Sequence, residues 1–139
     1  LPVVGTIPIR DGKILLCRRA IEPRKNYWTL PAGFMEAYET LKEGAARETW
    51  EETGARVQVN DLLTMIDVPE ANQIHFFFLA ELLDWPTPPG IETLEQRLFA
   101  PEEIPWDELS FTTVKTTLEH YLFDLPNGQI KLHAYRLSQ

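Results

Sequence analysis

The sequence predicts a mixed fold of the α/β or α+β class, in which two helices alternate with the strands of one mixed sheet. Residues 41–53 are framed by helix-capping signals, and residues 111–123 form an amphipathic pattern. Apolar and β-branched runs separated by turn signals occupy most of the remaining chain. With 139 residues the chain is long enough to bury a core, so we expect a single domain over residues 1–139.

The chain is predicted to begin with a β-hairpin. Residues 3–9 and 13–17 are apolar runs, and the Asp11-Gly12 pair between them is a strong two-residue turn signal. A further short strand is expected at residues 27–30, where Pro31 stops it, and Ala32-Gly33 is expected to open a loop. The other predicted strands are residues 56–59, 62–68, 73–83, 95–99 and 129–137.

The first helix is predicted from its two ends. Thr40-Leu41-Lys42-Glu43 matches a capping box, in which Thr40 caps the helix and Glu43 reaches back. Gly54 is well placed as the C-terminal stop. The helix is therefore expected over residues 41–53.

The charge balance limits the partners. A formal net charge of −8, from 21 acidic and 13 basic residues, argues against a nucleic-acid backbone as the main partner. It does not argue against a small anionic ligand, because metal ions can invert the local field. No apolar run approaches the ~20 residues needed to cross a bilayer, so no membrane partner is expected.

Cysteine usage and the start of the chain add two expectations. The single Cys17 rules out an internal disulfide and fits a reducing compartment, so we expect a cytoplasmic protein, or a chloroplast protein if the source is a plant. One cysteine and the scattered His75, His120 and His133 cannot assemble a zinc site. The chain starts at Leu1 without an initiator Met or a visible signal peptide, so we expect a trimmed chain.

Three acidic residues crowd one side of the first helix. At about 100° per residue, Glu48, Glu51 and Glu52 fall within one arc of roughly 100°. Their repulsion costs about 0.2–0.5 kcal/mol per pair, and acids near a helix C-terminus are further disfavoured by the helix dipole. A solvated acidic face is the ordinary interpretation of such a cluster. A hard divalent cation against the cluster is the functional alternative.

The spacing around this cluster resembles the Nudix box of the Nudix hydrolases, G-x5-E-x7-R-E-U-x-E-E-x-G-U, over residues 33–55. Every fixed position matches. Thr49 and Ala55 replace the bulky aliphatic residues at the two U positions, which are packing positions, and Ala32 replaces the first glycine of a common pair before the box. The matching residues are Gly33, Glu39, Arg47, Glu48, Glu51, Glu52 and Gly54.

The resemblance implies an α/β/α sandwich and a hydrolase of nucleoside diphosphates linked to another moiety. By the family's pattern, Glu48 and Glu52 would be the main ligands of Mg²⁺, with Mn²⁺ as a substitute. Glu51 would join them, and the Gly33 carbonyl is often an extra ligand. Glu51 and Glu52 are also the catalytic candidates within the box.

The same pattern assigns structural roles to other box residues. Arg47 and Glu39 would pair and hold the loop against the helix, and Gly54 would end the helix.

Later segments, residues 89–99 and 103–106, resemble the ADP-ribose pyrophosphatases and the plant chloroplast FAD pyrophosphohydrolase. In that subgroup a zinc ribbon often precedes the Nudix domain, and we expect one to be missing from this chain. Glu92 and Glu95 are candidates for an extra metal ligand or a general base, with a surface acid as the alternative.

Candidates for substrate binding lie before the box. Arg18 and Arg19 end the second strand and could contact phosphate, with Arg19 preferred, unless they form a solvated strand end. Trp28 and Phe34 offer aromatic faces for a base, although a core position is favoured for Trp28. His75 is favoured as a polar strand residue over a catalytic base.

The leading hypothesis is therefore a Mg²⁺-dependent pyrophosphohydrolase acting on a small nucleotide. ADP-ribose would give AMP and ribose 5-phosphate, and FAD would give AMP and FMN. The alternatives are a house-cleaning nucleoside triphosphate pyrophosphohydrolase and a non-catalytic Nudix-shaped binding module. Related pyrophosphatases are often homodimers, which extends to this chain by analogy only.

Overall fold

The computed structural model describes residues 1–85 and 93–137, which form one mixed sheet with a helix on each face. Single turns of 3₁₀-helix occupy Pro69–Ala71, Pro101–Glu103 and Trp106–Glu108. The helices are α1 (Leu41–Thr53) and α2 (Thr112–Asp124). The strands are β1 (Pro2–Arg10), β2 (Lys13–Arg19), β3 (Trp28–Thr29), β4 (Ala32–Phe34), β5 (Arg56–Val68), β6 (Gln73–Asp84), β7 (Thr93–Phe99) and β8 (His133–Arg136).

The strand order confirms the predicted mixed sheet. Six strands follow one another as β3-β2-β1-β6-β5-β8, while β4 adds to β1 and β7 adds to β2. β1 runs parallel to β6 and β5 runs parallel to β8, whereas the other pairs are antiparallel. β1 and β2 form the predicted hairpin, and its turn residues Asp11 and Gly12 have φ angles of 51° and 76°, as such tight turns require.

Each face of the sheet is covered by one helix. Alternate strand residues point to opposite faces, so each helix packs against a different set of strand side chains. On the α1 face, Val4 and Phe78 pack against Ala45. On the α2 face, Ile7 and Phe77 belong to a larger core that includes Leu118. This layering is the α/β/α arrangement that the sequence predicts.

Helix α1 has the predicted bounds and caps. The Thr40 hydroxyl accepts from the Glu43 backbone N–H (3.1 Å), and the Glu43 carboxylate accepts from the Thr40 backbone N–H (2.8 Å). Gly54 ends the helix in the left-handed region with φ 73°. These local signals fix where the carboxylate-bearing turns begin and end.

Thr49 and Ala55, which stand where the box has bulky aliphatic residues, are both fully buried. Thr49 accepts a hydrogen bond from the Thr6 hydroxyl on the sheet (2.7 Å) and donates to the Ala45 carbonyl (2.8 Å), so its hydroxyl is satisfied. Ala55 packs in a small apolar cluster with Leu15. Both residues therefore keep their packing role despite their size and polarity.

One prediction about the backbone is wrong. The sequence predicts that Ala32-Gly33 opens a loop, but Ala32–Phe34 forms β4 and pairs with β1. A three-residue strand carries no periodicity of its own, so its existence depends on the neighbouring strand and could not be read locally.

Other strands differ in length. The predicted strands at 56–59 and 62–68 join into β5, whose pairing with β6 shifts register between Val59 and Leu62 and between Leu62 and Thr64. The predicted final strand at 129–137 shortens to His133–Arg136. Within residues 1–85 and 93–137, neither helix has the length and apolar character needed to cross a membrane.

Candidate active site

Gly33 and Glu48 meet where β4 passes beneath α1. Gly33 pairs with Val4, whose side chain faces α1, so position 33 also points toward that helix. A Cβ added at Gly33 would lie 2.0 Å from Glu48 Oε1. The Glu48 carboxylate therefore occupies the space that any other side chain at position 33 would need.

Arg47 ties the loop before α1 to the helix. Its Nε and Nη2 donate to the two carboxylate oxygens of Glu39 (2.6 and 3.1 Å), and Nη2 also donates to the Phe34 carbonyl (3.0 Å). The hydrogen bond from Arg47 holds the pKa of Glu39 below its ordinary value, and Glu39 raises the pKa of Arg47 in return. The structure thus makes the Arg47–Glu39 pair that the box implies.

The same guanidinium contacts two further box carboxylates. Arg47 Nη1 donates to Glu48 Oε2 (2.7 Å) and to Glu51 Oε2 (3.0 Å). Burial raises the pKa of Glu48, while the hydrogen bond and charge of Arg47 act against this rise and the Glu51 charge adds to it. One cation therefore offsets the repulsion between these acids.

Glu52 is held from the other side by the sheet. The Ala32 backbone N–H donates to Glu52 Oε2 at 3.3 Å. The Cys17 thiol lies beneath the same carboxylate, with Sγ 3.8 Å from Glu52 Oε2 and 3.7 Å from the Thr29 carbonyl oxygen. Cys17 is buried in β2, where it packs as a small hydrophobic side chain.

The carboxylates are close together, but they do not form a closed metal centre. Across residues 1–85 and 93–137, no three His, Cys, Asp or Glu side chains are already positioned together to hold a metal ion. The donor chemistry fits Mg²⁺ nevertheless, because this ion typically takes one or two carboxylates and completes its shell with waters and phosphate oxygens. The cradle at Gly33, which a Cβ would fill, keeps Glu48 against the backbone.

A cleft of about 530 Å³ opens beside this site. Its volume falls within the roughly 300–1,000 Å³ that small-molecule sites occupy. Gly33 and Glu52 are part of its wall, so the cleft reaches the box residues directly. Among the polar side chains that line the rest are Arg19, Gln73, His75, Thr112 and Thr113.

The two arginines at the end of β2 have different surroundings. Arg19 lines the cleft, with its guanidinium 5.1 Å from the centre of the Phe111 ring and its Nε donating to the Pro23 carbonyl (2.8 Å). Arg18 instead forms an ion pair with Glu95 (2.9 Å) in which both side chains are well exposed. The structure therefore places Arg19, the preferred candidate, at the cleft. Glu92 lies outside the described residues.

The aromatic candidates also separate. Trp28 is 8% exposed and packs edge-on against Phe99 in the core, as the sequence favoured, so its ring is not available to a ligand. Phe34 is 54% exposed and lines the cleft.

Several cleft residues were not among the sequence candidates. Phe111 immediately precedes α2, Thr113 lies in its first turn, and Gln73 is the first residue of β6. His75 is a polar strand residue as predicted, and it also lines the cleft. The sequence carried no signal for this grouping, because these elements are adjacent only in the folded chain.

The fold and the site define the class of protein. The NUDIX domain matches residues 1–122, which is most of the chain. The chain therefore belongs to the NUDIX domain family.

Particular relatives add detail. A NUDIX hydrolase structure from Nitrosomonas europaea superposes with a TM-score of 0.96 and 45% identity, covering 99% of this chain and 78% of that one. A MutT-like protein of Streptomyces ambofaciens is 47% identical over 60 residues, covering 43% of this chain and 37% of the relative. An ADP-ribose pyrophosphatase of Methanocaldococcus jannaschii is 32% identical over 100 residues, covering 69% of this chain and 59% of the relative.

These matches support a Nudix hydrolase. The chain spans less than two thirds of the length of the two curated relatives named here.

Proposed function

We propose that the protein hydrolyses the pyrophosphate bond of a nucleoside diphosphate linked to another moiety, with Mg²⁺ or Mn²⁺, and that ADP-ribose and FAD are its leading substrates. One observation carries this proposal. Gly33 and Glu52 belong both to the box and to the wall of a cleft large enough for a small ligand. The pyrophosphatase among the relatives supports the same reaction.

The box carboxylates would hold the metal. Glu48 and Glu52 are the main ligands, Glu51 joins them, and the Gly33 carbonyl contributes a further oxygen. Because Arg47 now bonds Glu48 and Glu51, ligation would weaken those two contacts while the pair with Glu39 keeps the guanidinium in place. A bound Mg²⁺ neutralises charge on phosphate oxygens and lowers the pKa of a coordinated water.

The other residues would position the substrate and move the proton. Glu51 has a side chain that is 46% exposed, against 13% for Glu48, so of these two acids Glu51 is the more accessible to an attacking water and would accept its proton. Arg19 supplies a positive charge inside the cleft for a phosphate oxygen. The apolar residues of the cleft wall, such as Leu30 and Phe77, would pack against the less polar part of the substrate.

The test is a product analysis. Purified protein is incubated with ADP-ribose, FAD and a panel of nucleoside triphosphates, with Mg²⁺, with Mn²⁺ or with EDTA. We expect paired monophosphates from ADP-ribose or FAD with either metal and none with EDTA. Inorganic pyrophosphate released from triphosphates as the main product would show that the protein is a triphosphate pyrophosphohydrolase instead.

A further inference from the structure

We propose that Gln96 is a positioning residue of the metal site, and that its side-chain NH₂ group donates a hydrogen bond to the Glu52 carboxylate when that carboxylate binds a divalent cation. The inference rests on the proposed function, because it takes Glu52 to be a metal ligand. It goes further by assigning a role to a residue of β7, outside the box.

Gln96 lies on the face of the sheet that α1 covers. It stands directly opposite Cys17 in the antiparallel ladder of β7 and β2, so these two side chains point to the same face. Cys17 points toward α1, because its Sγ lies 3.8 Å from Glu52 Oε2. The neighbouring Glu95 pairs with Arg18 and therefore points to the opposite face.

This placement brings Gln96 close to Glu52. Side chains that stand opposite each other in an antiparallel pair have Cβ atoms about 4.5–5.5 Å apart. The Glu52 carboxylate lies 3.8 Å beyond the Cys17 thiol, and β7 as a whole is in contact with α1. The separation between the Gln96 amide and the carboxylate is therefore one that a change of side-chain rotamer can bridge.

The Trp85 indole fixes which end of the Gln96 amide is available. Trp85 Nε1 donates to Gln96 Oε1. An indole N–H can only donate, so the amide oxygen must face Trp85. The NH₂ group, which is the donor end of the amide, is thus turned away from Trp85.

This NH₂ group is buried and has no hydrogen-bond partner among the described residues. A buried donor without a partner is costly, so we expect the group to gain an acceptor in another state of the protein. The register of β2 and β7 places the Glu52 carboxylate beside it as that acceptor.

The metal-bound state is the one in which this bond forms. Glu52 Oε2 accepts from the Ala32 N–H at 3.3 Å and lies 3.8 Å from the Cys17 thiol. Both contacts are longer than a typical hydrogen bond to a carboxylate, so Glu52 can exchange them for a shorter one. A carboxylate that binds a metal ion is oriented by a donor to its remaining lone pairs, which Gln96 supplies.

The test measures metal affinity without turnover. Mn²⁺ is titrated into the protein in the absence of nucleotide, and the free ion is followed by electron paramagnetic resonance. Gln96→Met keeps nearly the same side-chain shape but removes the donor, so Mn²⁺ should bind about 10-fold more weakly than to the parent protein. Unchanged Mn²⁺ affinity would overturn the proposal, even if the thermal midpoint in EDTA falls, because the role of Gln96 would then be structural only.

Two control variants isolate the donor. Trp85→Phe breaks the same hydrogen bond but leaves the NH₂ group, so it should weaken Mn²⁺ binding less than Gln96→Met does, and equal losses would overturn the proposal. Gln58→Met makes the same substitution on β5. Its neighbour Val59 packs in the core cluster under α1, so Gln58 points to the other face, and Mn²⁺ affinity should not change.

A second measurement does not depend on a variant that folds. In ¹H–¹⁵N spectra of the parent protein, diamagnetic Mg²⁺ should shift the side-chain NH₂ signals of Gln96, with one proton moving downfield as it enters a hydrogen bond to a carboxylate. Gln96 signals that stay in place at saturating Mg²⁺ would overturn its role.

Failure of this inference can be distinguished from failure of the proposed function. If Gln96→Met weakens Mn²⁺ binding but the parent hydrolyses neither ADP-ribose nor FAD, the proposed substrates fail and the role of Gln96 stands. If the parent hydrolyses either substrate and Gln96→Met leaves Mn²⁺ affinity unchanged, only the role of Gln96 fails. A parent protein that binds no Mn²⁺ would refute both.

Discussion

The carboxylate site on the α1 face and the cleft beside α2 meet at Gly33 and Glu52, but they are assembled differently. The carboxylate site comes from one continuous segment, residues 33–55. The cleft collects side chains from strands and helices that are far apart in the chain. The continuous segment is charged and carries the proposed chemistry, whereas the assembled cleft is mostly apolar and carries the proposed substrate contacts. The proposed reaction and the proposed substrate contacts thus come from different parts of the structure.

The largest effect is expected from neutralising Glu52, the charged residue that belongs both to the carboxylate site and to the cleft wall. Glu52→Gln should lower kcat/KM for ADP-ribose by at least about 100-fold, because a metal ligand is lost. The fold should persist, since the glutamine carbonyl can still accept from the Ala32 N–H. Activity and the thermal midpoint are measured together.

Glu119→Gln, an exposed acid on α2, is the charge-matched control and should retain activity. Parent-like hydrolysis by Glu52→Gln would refute the metal-site assignment.

A smaller change tests the contact between Gly33 and Glu48. Gly33→Ala forces the Glu48 carboxylate to move, because the added Cβ would lie 2.0 Å from Oε1. The displaced atoms are the end of a flexible side chain, so stability should change by less than about 1 kcal/mol, while activity should fall roughly 10–100-fold.

Gly128→Ala provides the contrasting control. Nothing lies within 4 Å of its added Cβ, but its φ of +70° is unfavourable for alanine. It should lose about 1 kcal/mol of stability and keep full activity. A Gly33→Ala protein with parent kinetics would show that Glu48 need not stay where the structure places it.

The α2 side can be perturbed without touching either functional region. Asp124 is 1% exposed and accepts from His133 Nε2 (2.8 Å) and from the Lys131 N–H (3.2 Å). Burial opposes its ionisation, but these hydrogen bonds hold its pKa below the ordinary 3.8. A carboxyl group with a depressed pKa contributes its full stabilisation above about pH 4. This contribution is lost as the pH falls through the folded-state pKa.

Asp124→Asn should therefore lower stability near pH 7 by about 2 kcal/mol and flatten the acid limb of a plot of thermal midpoint against pH. The kcat should not change. An unaltered acid limb would mean that another carboxyl group governs acid unfolding.

The smallest expected effect concerns the one candidate base outside the box that the structure describes. Glu95→Gln breaks an exposed ion pair with Arg18, which is worth less than about 1 kcal/mol. Activity should stay within about three-fold of the parent. A loss of 100-fold or more would instead identify Glu95 as a catalytic base that reaches the site when substrate binds.

The difference between a continuous segment and a surface assembled from distant segments also explains which features could be predicted from sequence. The bounds of α1 and the turn at Asp11-Gly12 were predicted correctly, because capping boxes and turn pairs act over a few residues. β4 was missed, since it exists only by pairing with β1. Thr113 and Gln73 were missed for a related reason: their places in the cleft wall depend on α2 packing beside β6, and no local pattern encodes that contact.

Cys17 allows local opening of the fold to be measured by thiol labelling. The only thiol in the sequence lies buried between β2 and the Glu52 carboxylate of α1. A thiol-reactive dye can reach it only when the surrounding layers open, so the labelling rate reports how often α1 or the edge strand β3 separates from β2. Added nucleotide and metal that bridge the two layers would slow the labelling, which offers a direct assay of ligand engagement that requires no turnover.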